Sequence, residues 1–351
     1  MDIKILKSKQ LAVEKYNLNE ITFGSVFTDH MFVCDYEDNV WKNAKIIPYQ
    51  DIKVSPSSSV FHYGQAIFEG MKAFKDNNDS VWLFRPFENA KRFNQSCERL
   101  AIPNFPENTF VDAIKKLVEI EKNWILKGPG KSLYVRPFVI ATDENVQASP
   151  SKNYKMMVIC SPATKYYDID LRVKIADKFS RAAKGGIGYA KAAGNYGGQF
   201  YPTQIAKNEG YQQIIWTDAA SHKFIEEAGT MNLFFRVGNK LITPPVNDSI
   251  LDGVTRKSII DLCKKLDIKV EVRAISVEEI INYHQNKKLF EVFGSGTAVV
   301  IKPIRGFGYK GIDYELPVLK STFGELLKKK LVDIQYNISE DPFGWRYKVC
   351  D

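Results

Sequence analysis

An α+β fold in two domains is what this sequence predicts, on three observations. The 351 residues suit two domains better than one or four. Strand-like and helix-like stretches mix along the chain without a regular βαβ alternation. No GxGxxG opens a helix after a strand, which argues against a dinucleotide-binding sheet. The expected division is an N-terminal domain over 1–162, a linker over 163–173 and a C-terminal domain over 174–351.

The elements follow from pattern and punctuation. VWLFR (81–85), SLYVRPFVIA (132–141) and YKMMVIC (154–160) are short apolar runs bounded by polar or Pro-containing segments, and read as strands. KDNNDS (75–80) is a turn between strands. ENAKRFNQSCERL (88–100) puts Ala90, Phe93, Cys97 and Leu100 on one helical face, and VDAIKKLVEIEKNWI (111–125) does the same with Val111, Ile114, Val118 and Ile125. GPG (128–130) stops the second helix. SPATKYYDIDLRV (161–173) mixes Pro, polar and aromatic residues and contains the linker. The texture then changes: GGIGYAKAAGNYGG (185–198) holds six glycines in fourteen residues, and a helical stretch runs on to about Asn208. QQIIWTD (212–218) is a strand, and NLFFRVGNKLITP (232–244) is a hairpin turning at Gly238-Asn239. TRKSIIDLCKKL (255–266) is a helix with Ile259, Leu262, Cys263 and Leu266 at i, i+3, i+4 and i+7. Ser276, with Glu279 three residues on, is a capping box for a helix over 277–286. LFEVFGSGTAVVIKPI (289–304) is strand, glycine-rich turn, strand.

Composition narrows the function classes. Hydrophobic residues make up 44% and charged residues 26%, inside the globular range, so collagen-like and disordered readings fall away. The net charge of +8 is spread along the chain rather than gathered on one face, so a solvated surface explains it and no nucleic-acid partner is expected. The five scattered cysteines form no CxxC pair, which argues against a disulfide framework and a Cys-based zinc site and fits a reducing compartment. No secretory leader pattern and no apolar run of membrane-spanning length is read, so the expectation is a cytoplasmic protein without a membrane partner. The four histidines lack metal spacing, and HExxH, GxSxG and P-loop patterns are missing, so no metal is expected.

The residues that could carry chemistry stand out by setting. A lysine is ordinarily a solvated charge, but Lys191 lies among small residues in GYAKAAGNY. A lysine in a partly dry pocket has its ammonium form disfavoured, which frees an amine for Schiff-base chemistry with a carbonyl compound. Tyr196, five residues on, could face the same cavity. Glu226 and Glu227 lead into an apolar strand in EEAGTMNLFF, where a buried carboxylate needs a cationic or hydrogen-bonding partner. GVT (253–255) opens a helix whose free N–H groups suit a phosphate, and GSGT (294–297) offers further N–H groups and the Thr297 hydroxyl. Each of these is weak alone: many helices begin that way, and many glycine-rich turns bind nothing. Arg92, off the Phe93 face, is a phosphate anchor or a surface arginine.

Taken in order, FGSVFTDHM (23–31), FHYGQAIFEGMKAFK (61–75), LFRPFENAKR (83–92), LYVRPF (133–138), KAAGNYGG (191–198), EEAGTMNLFF (226–235), LDGVTRKSI (251–259) and EVFGSGTA (291–298) resemble the branched-chain amino acid aminotransferases of the pyridoxal phosphate (PLP) fold type IV group. The resemblance spans nearly the whole chain. It implies the two-domain fold type IV architecture, with a small N-terminal domain and a larger C-terminal one carrying a barrel-like sheet. It also implies PLP as cofactor and a homodimer. The implied reaction is ping-pong transfer of the amino group of Leu, Ile or Val to 2-oxoglutarate, by way of glutamate and the matching 2-oxo acids.

By the same resemblance Lys191 bonds the cofactor and moves the proton, Glu227 pairs with the pyridine nitrogen, and Tyr196 meets the phenolic oxygen. Arg92, the backbone at Val254 and Thr255, and the Thr297 side chain cup the phosphate. Thr230 and Ala298 lie near the substrate carboxylate. Phe23, Tyr63, Phe68 and Tyr134 wall the side-chain pocket, and Arg136 receives the distal carboxylate of glutamate. Lys191 and Glu227 would equally serve a D-amino acid aminotransferase, an aminodeoxychorismate lyase or an amine transaminase; the pocket aromatics and Arg136 favour branched-chain L-substrates. The chain departs from the family pattern in three places. The stretch after GSGTA reads Val299, Val300, Ile301, Lys302 where some relatives carry a CxxC pair, so no thiol switch is expected there. Glu226 stands where relatives often show Thr. ENVQAS (144–149) leaves the pocket size open.

Overall fold

The computed structural model describes residues 1–164 and 171–351, so the middle of the expected linker, 165–170, lies outside the described residues. In chain order the strands are β1 (Lys4–Ile5), β2 (His30–Glu37), β3 (Val40–Pro48), β4 (Ala66–Phe68), β5 (Met71–Lys75), β6 (Val81–Phe84), β7 (Ser132–Ala141), β8 (Tyr154–Ala163), β9 (Leu171–Ile175), β10 (Gln213–Thr217), β11 (Ile225–Ala228), β12 (Asn232–Val237), β13 (Lys240–Thr243), β14 (Lys269–Val272), β15 (Leu289–Gly296), β16 (Val300–Tyr309), β17 (Ile312–Glu315) and β18 (Arg346–Cys350). The helices are α1 (Ser59–Tyr63), α2 (Pro86–Arg99), α3 (Glu107–Ile120), α4 (Gly194–Gly197), α5 (Phe200–Asn208), α6 (Val254–Lys265), α7 (Val277–Gln285) and α8 (Phe323–Gln335). The fold is α+β, and by contacts the chain divides into two compact units: Met1–Tyr167 with Ala190–Gly194 and Asp333–Asp351, and Asp168–Tyr189 with Asn195–Val332.

The first unit is built on a sheet of order β1-β3-β2-β8-β7-β5-β6-β18, with β4 also paired to β7. Strand β7 shows why the sheet has two unlike faces. Side chains alternate along a strand. Leu133, Val135, Val139 and Ala141 therefore join the core that also holds Phe93 and Cys97 of α2 and Phe110, Ile114 and Leu117 of α3. The intervening Tyr134, Arg136, Phe138 and Ile140 stand half-buried on the other face. The hairpin β2–β3 turns at Asp38-Asn39, both with positive φ (53° and 62°), the conformation of a two-residue type I′ turn. Asp29, just before β2, accepts from the Ala12 amide (2.6 Å) and the Trp124 indole (2.8 Å), and this ties down the chain around Phe23.

Helix α3 differs from the 111–125 expectation at both ends. It starts at Glu107 after Pro106, because Thr109 and Phe110 also turn inward, and it stops at Ile120, where a tighter 3₁₀ turn over Lys122–Trp124 buries the indole. VWLFR ends as strand at Phe84, since Arg85 has a left-handed backbone.

The second unit holds a sheet of order β11-β10-β9-β16-β15-β12-β13-β14, with β17 paired to β16. Its core gathers Val173, Ile215, Leu233, Phe235, Ile242, Val292 and Phe307, closed by Val277 and Ile280 of α7. Half of the expected capping box forms: Ser276 Oγ accepts from the Glu279 amide at 3.0 Å, while the Glu279 carboxylate turns away to Arg273 at 2.6 Å. The expected hairpin turns at Gly238, with φ 59°. Cys34, Cys97, Cys160 and Cys263 are free and buried, and burial pushes the Cys34 and Cys263 thiols up to about 12, which leaves them inert at neutral pH. No helix among the described residues is long and apolar enough to cross a membrane.

Candidate active site

Each unit gathers its own set of the residues singled out above. In the first, the segment Ala190–Gly194 adds to β4 as a short antiparallel strand. The Phe68 amide donates to the Lys191 carbonyl (3.0 Å), the Ala193 amide to the Ala66 carbonyl (3.0 Å), and Ile67 faces Ala192. That register sets Lys191 opposite Phe68, on the same face. The half-buried Lys191 amine accordingly lies 4.7 Å from the Phe68 ring centre. The same face carries the half-buried residues of β7. The Arg136 guanidinium sits over Phe68 (4.6 Å) and Tyr134 (5.2 Å), its Nη2 donates to the Tyr134 hydroxyl (2.9 Å), and Phe23 meets Tyr134 edge-on at 5.0 Å. Arg136 has no carboxylate partner among the described residues, and its buried Nε has no hydrogen-bond acceptor. A cation bedded on two rings and left without a carboxylate partner can receive an anion. Tyr63 is not drawn into this group: it is 48% exposed at the end of α1, and its hydroxyl donates to the Val146 carbonyl within the 144–149 loop.

Arg92 is buried on α2 and bound by Glu69, with Nε to Oε1 at 2.7 Å and Nη2 to Oε2 at 3.0 Å. The Asn89 amide (2.8 Å) and the Gly70 N–H (3.0 Å) complete the donors to Glu69. Burial alone would raise this carboxyl; the Arg92 guanidinium, with Lys191 and Asn89 behind it, outweighs burial and holds it below the usual carboxylate range. One turn of α2 links this pair to the lysine: the Lys191 amide donates to Ser96 Oγ (2.9 Å), and that hydroxyl donates to the Arg92 carbonyl (3.0 Å).

In the second unit, Glu227 is 4% exposed on β11. Its Oε1 lies 3.0 Å from Arg181 Nη2, and its Oε2 accepts from the Leu251 amide (3.0 Å) and from Asn232 Nδ2 at the limit of 3.5 Å. Asn232 also donates to the Leu251 carbonyl (2.9 Å), just ahead of α6. Helix α6 starts at Val254 behind Gly253, which offers no side-chain cap, so its first-turn N–H groups point outward with Thr255 buried among them. A side chain at Gly253 would collide with Asn232 Oδ1, at 2.0 Å from the Cβ position, so the close approach of strand and helix start requires glycine. Pairing of Asn232 with Ser295 sets the turn at Thr230 beside the turn carrying Thr297 and Ala298. Thr230 is exposed, Thr297 and Ala298 are half-buried, and Tyr196 is half-buried in α4.

Sequence reasoning missed Glu69, Gly70, Arg181 and Asn232. Glu69 was findable, since a lone acid inside QAIFEGMKAF calls for a buried cation. Arg181, 46 positions before its partner, gives no local signal. Among the described residues no group of His, Cys, Asp or Glu could hold a metal ion.

The profile of the family described as amino-transferase class IV matches residues 66–307. Branched-chain-amino-acid aminotransferase 2 of Bacillus subtilis (strain 168) is 43% identical over 339 residues, 95% of this chain and 93% of that protein. Branched-chain-amino-acid transaminase 1 of the same organism is 42% identical over 344 residues, 96% of each chain. Among solved structures, the branched-chain amino acid aminotransferase from Escherichia coli superposes with a TM-score of 0.73 at 26% identity, over 92% of this chain and 99% of that one.

Proposed function

The chain belongs to the class IV amino-transferase family, and on that premise we propose that it is a branched-chain L-amino acid aminotransferase. It would move the amino group of Leu, Ile or Val to 2-oxoglutarate in a ping-pong cycle, working as a homodimer with PLP. The observation that carries this reading is Arg136, a cation without a carboxylate partner laid on the Phe68 and Tyr134 rings, on the sheet face that presents Lys191. The rings suit an apolar side chain, and the guanidinium suits the distal carboxylate of glutamate. One pocket can thus serve both substrates.

The residues fit PLP. A half-buried primary amine, a carboxylate held by a guanidinium and an amide, and a helix start without a capping side chain match its aldehyde, ring nitrogen and phosphate in turn. Bound PLP would supply an electron-accepting ring and an aldehyde that takes the amino group from one substrate and hands it to the next. Lys191 would hold it through Nζ and, at that same atom, take up and return the proton of the substrate Cα. Glu227, fixed by Arg181 and the Leu251 amide, would hold a proton on the ring nitrogen. The Tyr196 hydroxyl would donate to the phenolic oxygen. Arg92, oriented by Glu69, would share the phosphate with the Val254 and Thr255 amides and the Thr297 hydroxyl. Thr230 and Ala298 would flank the substrate carboxylate. Phe23, Phe68, Tyr134 and, from its loop-bound position, Tyr63 would shut out water.

The two half-reactions separate this reading from its rivals. Arg136→Ala should impair the glutamate half-reaction more than the leucine one, by about 1–3 kcal/mol of extra barrier, the scale of a hydrogen bond to a charged group. Equal losses in single-turnover rates with the two donors would remove Arg136 from that role.

A further inference from the structure

Glu226 and Glu227 are neighbours on β11, and both are buried, 6% and 4% exposed. Strand alternation turns them to opposite faces, yet they answer to one guanidinium. The Arg181 side chain, 3% exposed, meets Glu227 at 3.0 Å and also donates to the Gly188 carbonyl (2.9 Å) and the Ser249 carbonyl. That same Ser249 and the Arg181 charge both favour the Glu226 carboxylate as an anion. Glu226 Oε2 has no hydrogen-bond partner. Glu226 borders a cavity of about 620 Å³. The charged groups around it are Glu227 on its own strand, Arg181 and Lys184 on the segment before the glycine-rich run, Asp218 after β10, and Asp248 on the loop ahead of α6. A buried carboxylate with an unpartnered oxygen, two acids nearby and a share in one arginine is poorly held as an anion. Burial accordingly lifts it to about 7, with Glu227 and Asp218 adding to the rise against the pull of Ser249 and Arg181.

Resting on the reading that Glu227 pairs with the PLP ring nitrogen, we propose that Glu226 is a positioning residue for Glu227: by holding or losing a proton at the cavity it sets how much of the Arg181 charge Glu227 commands, and so how tightly Glu227 keeps the ring nitrogen protonated. The direction follows from charge. With Glu226 protonated, Arg181 neutralises Glu227 alone. With Glu226 ionised, a second anion draws on the same guanidinium. Glu227 then becomes the stronger proton acceptor, and the ring nitrogen holds its proton to higher pH.

The test uses the full chain with and without cofactor. In the apo-protein, ¹³C-labelled glutamate side chains followed from pH 5 to 9 should show, beside the Glu121 carboxyl that burial pushes up to about 8, a carboxyl titrating near 7 that is lost in Glu226→Gln. With PLP carrying a ¹⁵N ring nitrogen, the ring signal should step at that same pH in the wild type. The step should vanish in Glu226→Gln, and return at a moved midpoint in Glu226→Asp. A Glu226 that titrates in the ordinary carboxylate range, or a ring step unchanged by Glu226→Gln, would overturn the proposal while leaving the aminotransferase reading intact. A chain that takes up no PLP would overturn both.

Discussion

Glu69→Gln isolates the charge of the most deeply buried acid in the first unit while keeping its volume. Glu69 is fully buried and accepts two hydrogen bonds from Arg92, one from Asn89 and one from the Gly70 amide. A glutamine has one acceptor oxygen for these four donors, and its NH₂ would face another donor. Taking one partner from a buried pair leaves the other charge uncompensated, at a cost of about 3–5 kcal/mol. At ~2–4 °C per kcal/mol for a unit of this size, Tm of the apo-protein should fall by about 6–20 °C. The pH dependence has a defined sign. The Glu69 carboxyl is held below its ordinary value, so its contribution is complete above the unfolded value of about 4.3 and is lost as pH falls through the lower folded value. Calorimetric scans of wild type and Glu69→Gln should therefore diverge at pH 7 and converge at strongly acid pH. A shift below about 2 °C at pH 7, the equivalent of less than ~1 kcal/mol, or a gap that widens on acidification, would refute the reasoning.

Three further outcomes are expected. Lys191→Ala should abolish the visible absorption of the cofactor-bound protein and cut amino transfer by at least ~10²-fold, checked by spectrum and steady-state rate. Glu227→Ala should still bind PLP but lose about 10²–10³ in kcat; wild-type turnover in that variant would dismiss the ring-nitrogen role. Gly70→Ala places a Cβ 2.2 Å from the Tyr134 hydroxyl oxygen, so the tyrosine must swing away from Arg136 and Phe23. KM for both leucine and glutamate should rise, with a stability loss of about 1–3 kcal/mol in urea titration.

Local features were legible where neighbours in sequence are neighbours in space. SLYVRPFVIA announced β7 as an apolar run between polar and Pro-containing segments, and the alternation of side chains along it sets Tyr134 and Arg136 on one face. Ser276 and Glu279 announced the start of α7. The hairpin at Asp38-Asn39 carries an ordinary Asp-Asn turn signal between two apolar stretches that sequence reasoning missed. The pairings that position the candidate site are of another kind. Glu69 with Arg92, Arg181 with Glu227, and Lys191 with Phe68 join residues from 23 to 123 positions apart. No propensity or period encodes such a match; it exists only once the strands have registered. Lys191, Tyr196, Glu227 and Arg92 stood out by setting and took their roles from resemblance, whereas the partners that hold them had to be read from geometry.

The first sheet ends on the strand furthest from the rest of it along the sequence. Edge strand β18 lies on β6, and Ser80 bonds Asp351 across 271 positions. At a synthesis rate of about 5–20 residues per second, β6 therefore waits roughly 15–50 s on the ribosome with one row of amides and carbonyls bare. Through that interval the nascent chain presents an adhesive margin to any other extended polypeptide. Crowded translation and slow codons between the segments encoding β6 and β18 should accordingly depress soluble yield more than the stability of the folded protein would suggest.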